Sequence, residues 1–105
     1  MYAITFDLDT AILKDLYPSP SFNNAYTDIR TVLVEFGFAW QQDSVYFGSK
    51  GVDAVSCVLA VQELASCFDW FTPSIRNIRL LRIEENNDLM PALKSGGVKR
   101  AKMQG

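Results

Sequence analysis

The sequence predicts an α+β fold, an antiparallel sheet with two helices on one of its faces. Three observations carry this. The chain opens on strict alternation, MYAITFDLD, with Tyr2, Ile4, Phe6 and Leu8 on one side and Ala3, Thr5 and Asp7 on the other. Two later segments, from Ser21 and from Asp53, carry apolar residues at the helical period. Between and after them lie FAWQQDSVYF and IRNIRLLRIE, both strand-like. The order strand, helix, strand, strand, helix, strand is most simply a split βαβ, ferredoxin-like βαββαβ sandwich.

The first strand should bury Tyr2, Ile4, Phe6 and Leu8. Asp7 then projects from the uncovered face near the strand's end, an unfavoured place for a carboxylate and so a candidate functional centre. Residues 11 to 20 read as a loop, with Ser19 an N-cap and Pro20 at the first helical position. Phe22, Ala25, Tyr26, Ile29, Leu33 and Phe36 make one helical stripe, and Gly37 stops it. Phe38 to Phe47 reads as a hairpin turning near Gln41 to Ser44. Asp53 caps a second helix running to about Phe68, buried through Ala54, Cys57, Val58, Val61, Leu64, Ala65 and Phe68. Val55, Leu59 and Ala60 widen its apolar girth, which suits either a wedged helix or contact with a second subunit. Residues 69 to 74 connect to the last strand, Ile75 to Glu84. There Arg76, Ile78, Leu80 and Arg82 share one face, and Asn77, Arg79, Leu81 and Ile83 the other. A short helix is expected within Asp88 to Ser95, with Pro91 in its first turn. Residues 1–95 form the domain, and the tail from Gly96 to Gly105 should be flexible and basic.

With 105 residues, 49% of them hydrophobic, the chain suits one globular domain. No apolar run approaches the roughly 20 residues of a bilayer span, and no leader pattern opens the chain. A soluble, cytoplasmic protein without a membrane partner is expected, with Cys57 and Cys67 as two buried thiols. Histidine is absent. That excludes Ser-His and Cys-His catalysis and any paired-imidazole cleavage of RNA. The last twelve residues hold four bases and no acid, whereas the other 93 hold six bases and twelve acids, a net −6. Such a body does not draw nucleic acid in bulk, although a local basic strip remains open to it.

Asp7 and Asp9 together form a candidate site for a divalent cation such as Mg²⁺, since hard cations take oxygen ligands. FDLDTA also approaches the D-x-D-x-T/V nucleophile motif of haloacid-dehalogenase phosphatases. Ala11 breaks the motif, and the chain has no room for that parallel fold. Arg76 and Arg79 are candidate phosphate contacts, because a planar guanidinium suits phosphate. Tyr46 is the hairpin aromatic singled out as a platform for an RNA base.

MYAITFDLD, AYTDIR, FGFAWQQDSVYF and SIRNIRLLRIEE together resemble the virulence-associated protein D (VapD) family over about residues 1 to 94. The resemblance implies a ferredoxin-like domain similar to the CRISPR-associated endoribonucleases and a homodimer joined through the sheets. It also implies a cytoplasmic endoribonuclease, often the toxin of a toxin–antitoxin pair, whose substrate is RNA and whose protein partner is an antitoxin. By the same resemblance the catalytic positions are Asp7, Ser44 and Asn77. Two departures stand out: Asp43 occupies a position where the family often has Gly, and Asn77 one where an Asp is expected. An amide can hydrogen-bond a phosphate but cannot act as a base. The rival reading is a dimeric interaction or nucleic-acid-binding domain of the same fold, catalytically weak or inactive.

Overall fold

The computed structural model describes residues 1 to 95, so the expected basic tail lies outside the described residues. The elements in chain order are β1 (Tyr2–Leu8), α1 (Thr10–Leu16), α2 (Asn24–Glu35), β2 (Phe38–Gln42), β3 (Val45–Gly48), α3 (Ala54–Cys67), α4 (Phe71–Ser74), β4 (Ile75–Arg82) and α5 (Met90–Ser95). The four strands form one antiparallel sheet in the order β2-β3-β1-β4. This is the α+β, ferredoxin-like arrangement. β1 lies inside the sheet, and β2 and β4 are its edge strands.

The alternation in β1 is realised from Ile4 onward, whereas Tyr2 is only half-buried and Ala3, on the uncovered face, is buried. Ile4, Phe6 and Leu8 are buried in a core that includes Ala25, Ile29, Val32 and Leu33 of α2 and Cys57, Ala60 and Leu64 of α3. The pairing of Ile4 with Tyr46 on one side and Leu80 on the other carries that face across three strands. The opposite face carries Ala3, Thr5 and Asp7 from β1, with Leu81, Arg79 and Asn77 as their partners on β4.

Of the three helix boundaries read from capping signals, those at Gly37 and Asp53 hold. Gly37 adopts φ +92°, the left-handed conformation that closes a helix, and a Cβ there would come 3.0 Å from Val52 Cγ2. The Asp53 carboxylate accepts from the Ser56 N–H at 2.8 Å, and this bond holds its pKa below the ordinary 3.8.

The segment expected to be a loop is instead helical over α1. Asp9 sits at its N-cap, and Oδ1 accepts from the Ala11 and Ile12 N–H groups at 3.0 and 3.1 Å. Only Leu13 of α1 is buried, so the segment carries no apolar stripe to announce it. α2 starts at Asn24, later than expected, and Ser19 instead receives the N–H of Ser21. The connection before β4 contains the short α4. On α3, Val58 and Ala65 turn outward rather than inward, and Cys67 is exposed, so only Cys57 is a buried thiol.

Removing the α1 cap with Asp9→Ala should cost about 1 kcal/mol. Asp9→Asn, which keeps the accepting oxygen, should cost far less. Urea midpoints of the two variants check this.

A tether joins α1 to α2. The Tyr17 hydroxyl donates to Asp28 Oδ2 at 2.6 Å, and the Tyr17 ring stands edge-on to Trp70 with centroids 5.3 Å apart. The bond to Asp28, then burial and the Asp28 charge, push the Tyr17 pKa from 10.0 up to about 12. The folded protein holds this proton more tightly than the unfolded chain does. The tether therefore contributes fully below pH 10 and is lost as pH rises towards 12. Tyr17→Phe should flatten the fall in stability over that window, as measured by denaturant titrations at stepped alkaline pH.

Candidate nucleic-acid interface

The uncovered face of the sheet owes its chemistry to the register of β1 against β4. Directly opposed residues in an antiparallel pair share a face. Asp7 is paired with Asn77, and Thr5 with Arg79. A carboxylate, an amide, a hydroxyl and a guanidinium therefore stand on two successive rungs of the same face. Asp7, Asn77 and Arg79 are all exposed, and Thr5 is half-buried.

The ladder is irregular immediately beside Asp7. Asp7 pairs with Asn77, yet Leu8 pairs with Ile75, which leaves Arg76 as an extra residue in β4. Bulges of this kind re-aim side chains and are frequent beside functional sites. Arg76 is exposed and adjoins the Asp7–Asn77 rung.

Among the described residues, no hydrogen bond or ion pair engages the Asp7 carboxylate. An ionised carboxylate is a pure acceptor, so the side chain is free to take a proton or to ligate a cation. Its charge reaches α2: burial first, and the Asp7 charge second, raise the pKa of Tyr26 above 10.0. Tyr26 therefore stays a neutral donor at physiological pH.

Ser44 lies one rung away. Its carbonyl accepts from the Phe6 N–H at 3.2 Å, which places the hairpin tip against the end of β1. The Ser44 hydroxyl is half-buried and makes no hydrogen bond to Asp7 or Asn77. At the tip, Asp43 takes φ +44°, a conformation that Gly adopts without cost.

Tyr46 is placed differently from a base platform. It is 2% exposed, faces α2 and α3 with Ile4, and stacks on Phe6 at 6.1 Å between centroids. A ring so enclosed offers no face to a base. The exposed hairpin aromatic is Trp40, whose Nε1 donates to the Asp43 carbonyl at 2.7 Å. The Arg30 guanidinium lies 4.1 Å from the Trp40 centroid. The sequence reading singled out neither Trp40 nor Arg30. They are ten residues apart on different elements, and only the fold brings them together.

The candidate cation pair is partly committed elsewhere. Asp9 lies beyond β1, and its Oδ1 already serves two backbone N–H groups. No cluster of three or more His, Cys, Asp or Glu side chains able to hold a metal occurs among the described residues. A cation at Asp7 would take the remaining Asp9 oxygen at most, and phosphate and water oxygens would complete its shell. Among the described residues no helix is long and apolar enough to cross a membrane.

No protein-family model matches the chain. Individual proteins do. The chain is 50% identical over 93 residues to endoribonuclease VapD 2 of Riemerella anatipestifer, covering 89% of this chain and 99% of that protein. It is 49% identical over 94 residues to the endoribonuclease VapD homolog of Helicobacter pylori, covering 90% and 97%. To endoribonuclease VapD of Haemophilus influenzae it is 33% identical over 99 residues, covering 90% and 100%.

Proposed function

The chain belongs to the VapD family, whose matched members are named endoribonucleases, and from that premise we propose that it cleaves single-stranded RNA with Asp7 as the central catalytic group. The observation that carries the reading is the unengaged Asp7 carboxylate on the helix-free face, opposite Asn77 and beside the bulged Arg76.

RNA brings its own nucleophile, the 2′-OH. Cleavage needs that hydroxyl aligned, its proton accepted and the phosphate charge met. Asp7 accepts the proton as the 2′-oxygen bonds to phosphorus and the P–O5′ bond breaks, the leaving 5′-oxygen taking a proton from solvent. Were a divalent cation such as Mg²⁺ bound, Asp7 would help hold it and it would supply Lewis-acid activation of the hydroxyl. The Asn77 amide donates to a phosphate oxygen, and Arg76 and Arg79 neutralise its charge. Ser44, at the hairpin tip, serves as a further hydrogen-bond donor.

The protein acts as a homodimer joined through the open sheet faces, in the cytoplasm, as the toxin of a toxin–antitoxin pair held in check by an antitoxin protein. An apolar patch supports the dimer. Val45, Phe47 and Leu81 share the open face with the polar group, Val45 and Phe47 half-buried and Leu81 43% exposed. Two such patches in contact would leave both Asp7 residues along one cleft.

The test is incubation of purified protein with single-stranded RNA, with and without a chelator, and analysis of the product ends. Cleavage leaving 2′,3′-cyclic phosphate ends and surviving the chelator assigns Asp7 as base. Cleavage abolished by the chelator assigns it as cation ligand. RNA left intact under both conditions defeats the reading and favours the interaction domain, to which Asn77, unable to ionise, would then point.

A further inference from the structure

Arg30 is a cation without an anion. Its guanidinium lies 4.1 Å from the centroid of the Trp40 ring. Its Nε is buried with no hydrogen-bond partner, and among the described residues Arg30 makes no ion pair. A fork of N–H donors suited to phosphate is thus held beside an aromatic ring, its charge unanswered by the protein. Trp40 is held from a second direction, its Nε1 donating to the Asp43 carbonyl at 2.7 Å. Even so, Trp40 is 45% exposed. A large ring fixed by two contacts and still in water has already lost its rotamer freedom, so a group that stacks on it meets little further ordering cost.

The pair sits around the hairpin tip from Asp7. Trp40 is paired with Tyr46, and Tyr46 with Ile4, so the ring stands on the helix side of the edge strand β2. Asp7 lies on the other face, two strand spacings across and three residues along, roughly 14 Å away between Cα positions. The ladder of β1 with β3 ends at Thr5–Val45, and the bond from the Phe6 N–H to the Ser44 carbonyl lies just beyond it, so Asp7 stands past the tip. α2 borders the same end of the sheet. Tyr26 is near enough for the Asp7 charge to act on it, and Arg30 follows Tyr26 by four residues, about one helical turn. Asp7, Tyr26, Arg30 and Trp40 therefore succeed one another around the tip.

We propose that Trp40 and Arg30 form a second RNA subsite, Trp40 stacking one base and Arg30 holding the phosphate beside it, for the strand whose scissile phosphate lies at Asp7. The inference rests on the RNA reading of the preceding subsection and adds to it a place where the strand is held away from the reacting bond.

Stacking on an aromatic ring beside a cation holds single strands without reading their sequence, since every base has a π face. A duplex keeps its bases stacked on one another, so the subsite selects single-stranded RNA. The distance to Asp7 is within reach of about four nucleotides, the lower end of the site sizes seen in small single-strand-binding folds. The acidic body repels a polyanion at large, so a guanidinium with no acid partner is where a phosphate can settle. The position also agrees with the dimer. A ring on the helix side of an edge strand lies outside any contact made between the open faces.

The test uses full-length protein and a 2′-O-methyl RNA of about eight nucleotides, long enough for both positions and lacking the nucleophile, so that binding is read without cleavage. By fluorescence anisotropy of the labelled RNA, Trp40→Ala should weaken binding about 5- to 150-fold, the usual worth of one stacked base. Trp40→Phe loses the Nε1 bond to Asp43 but keeps an aromatic face, so it should stay within about threefold of the parent. Arg30→Gln should flatten the slope of log K against log salt by about 0.7, one phosphate contact on a single strand. Trp70 is 3% exposed, so quenching of tryptophan emission by unlabelled RNA should come from Trp40 and vanish in Trp40→Phe. Binding by Trp40→Ala within about twofold of the parent overturns the proposal. So does an equal loss in the Ala and Phe variants, which would make Trp40 only a clasp for the turn, and so does an unchanged salt slope in Arg30→Gln. Cleavage of unmodified RNA by the parent separates the causes. Cleavage with binding unaltered in the Trp40 variants sinks the subsite alone. Trp40-dependent binding without cleavage sinks the nuclease and leaves the subsite, and a parent that binds no RNA sinks both.

Discussion

Replacing Asp7 with asparagine should slow RNA cleavage by about 10²–10⁴-fold, the usual worth of a positioned general base. The change preserves size and removes only the capacity to accept a proton or bind a cation strongly. Asp7 is exposed and makes no hydrogen bond or ion pair among the described residues, so the fold has little to lose. Exposed sites without such ties usually move stability by less than about 0.5 kcal/mol. Thermal melts of the variant and the parent should therefore nearly superimpose while the cleavage rates part. A rate unchanged within about twofold would remove Asp7 from the chemistry, by the same arithmetic of rate and barrier.

The largest effect on stability is expected from Leu33→Ala. Leu33 is fully buried on α2 and belongs to the cluster that joins both long helices to the sheet. Truncating a buried leucine costs about 2–5 kcal/mol, through lost transfer energy and the cavity left behind. Domains of this size hold about 5–15 kcal/mol in total, so the variant would keep only part of its margin. Val34→Ala is the matched control, since Val34 is the next residue and is 54% exposed. Urea denaturation should show a large fall in midpoint for the first variant and almost none for the second.

Much of this fold could be read from local pattern. Tyr2, Ile4, Phe6 and Leu8 alternate without interruption, and the α2 stripe repeats over four turns. Gly37 and Asp53 mark helix ends by chemistry that acts within a few residues. α1 escaped because it is seven residues long and buries one of them. Its cap, Asp9, closes the alternating run of β1 and by itself signals only the strand's end. The inward turn of Tyr46 escaped for a different reason. Hairpin facing depends on register, and a slip of one residue exchanges the two faces. The β2–β3 ladder shifts register between Trp40 and Gln42, and nothing in the residue types there announces it.

The candidate site divides in the same way. That Asp7 points away from the helices follows from alternation alone. That it stands opposite Asn77 depends on which residues of β4 meet β1, a matter settled by packing along the whole strand. The Arg30–Trp40 contact likewise joins a helix to the hairpin and has no local signature.

Ile75 and Ile78 both pack towards the core, although three residues apart on one strand, where a regular pleat would send them to opposite sides. The extra residue at Arg76 works as a phase shifter, letting the segment leaving α4 and the segment paired with Phe6 each keep its own parity. Chain length here is consequently quantised. Deleting one residue between Ser74 and Asn77 would force a choice between turning an isoleucine out to solvent and swinging Asn77 away from Asp7. Adding or removing residues after Arg82 disturbs no such parity, so variation in length is far easier to absorb in the connector to α5 than at the entrance to β4.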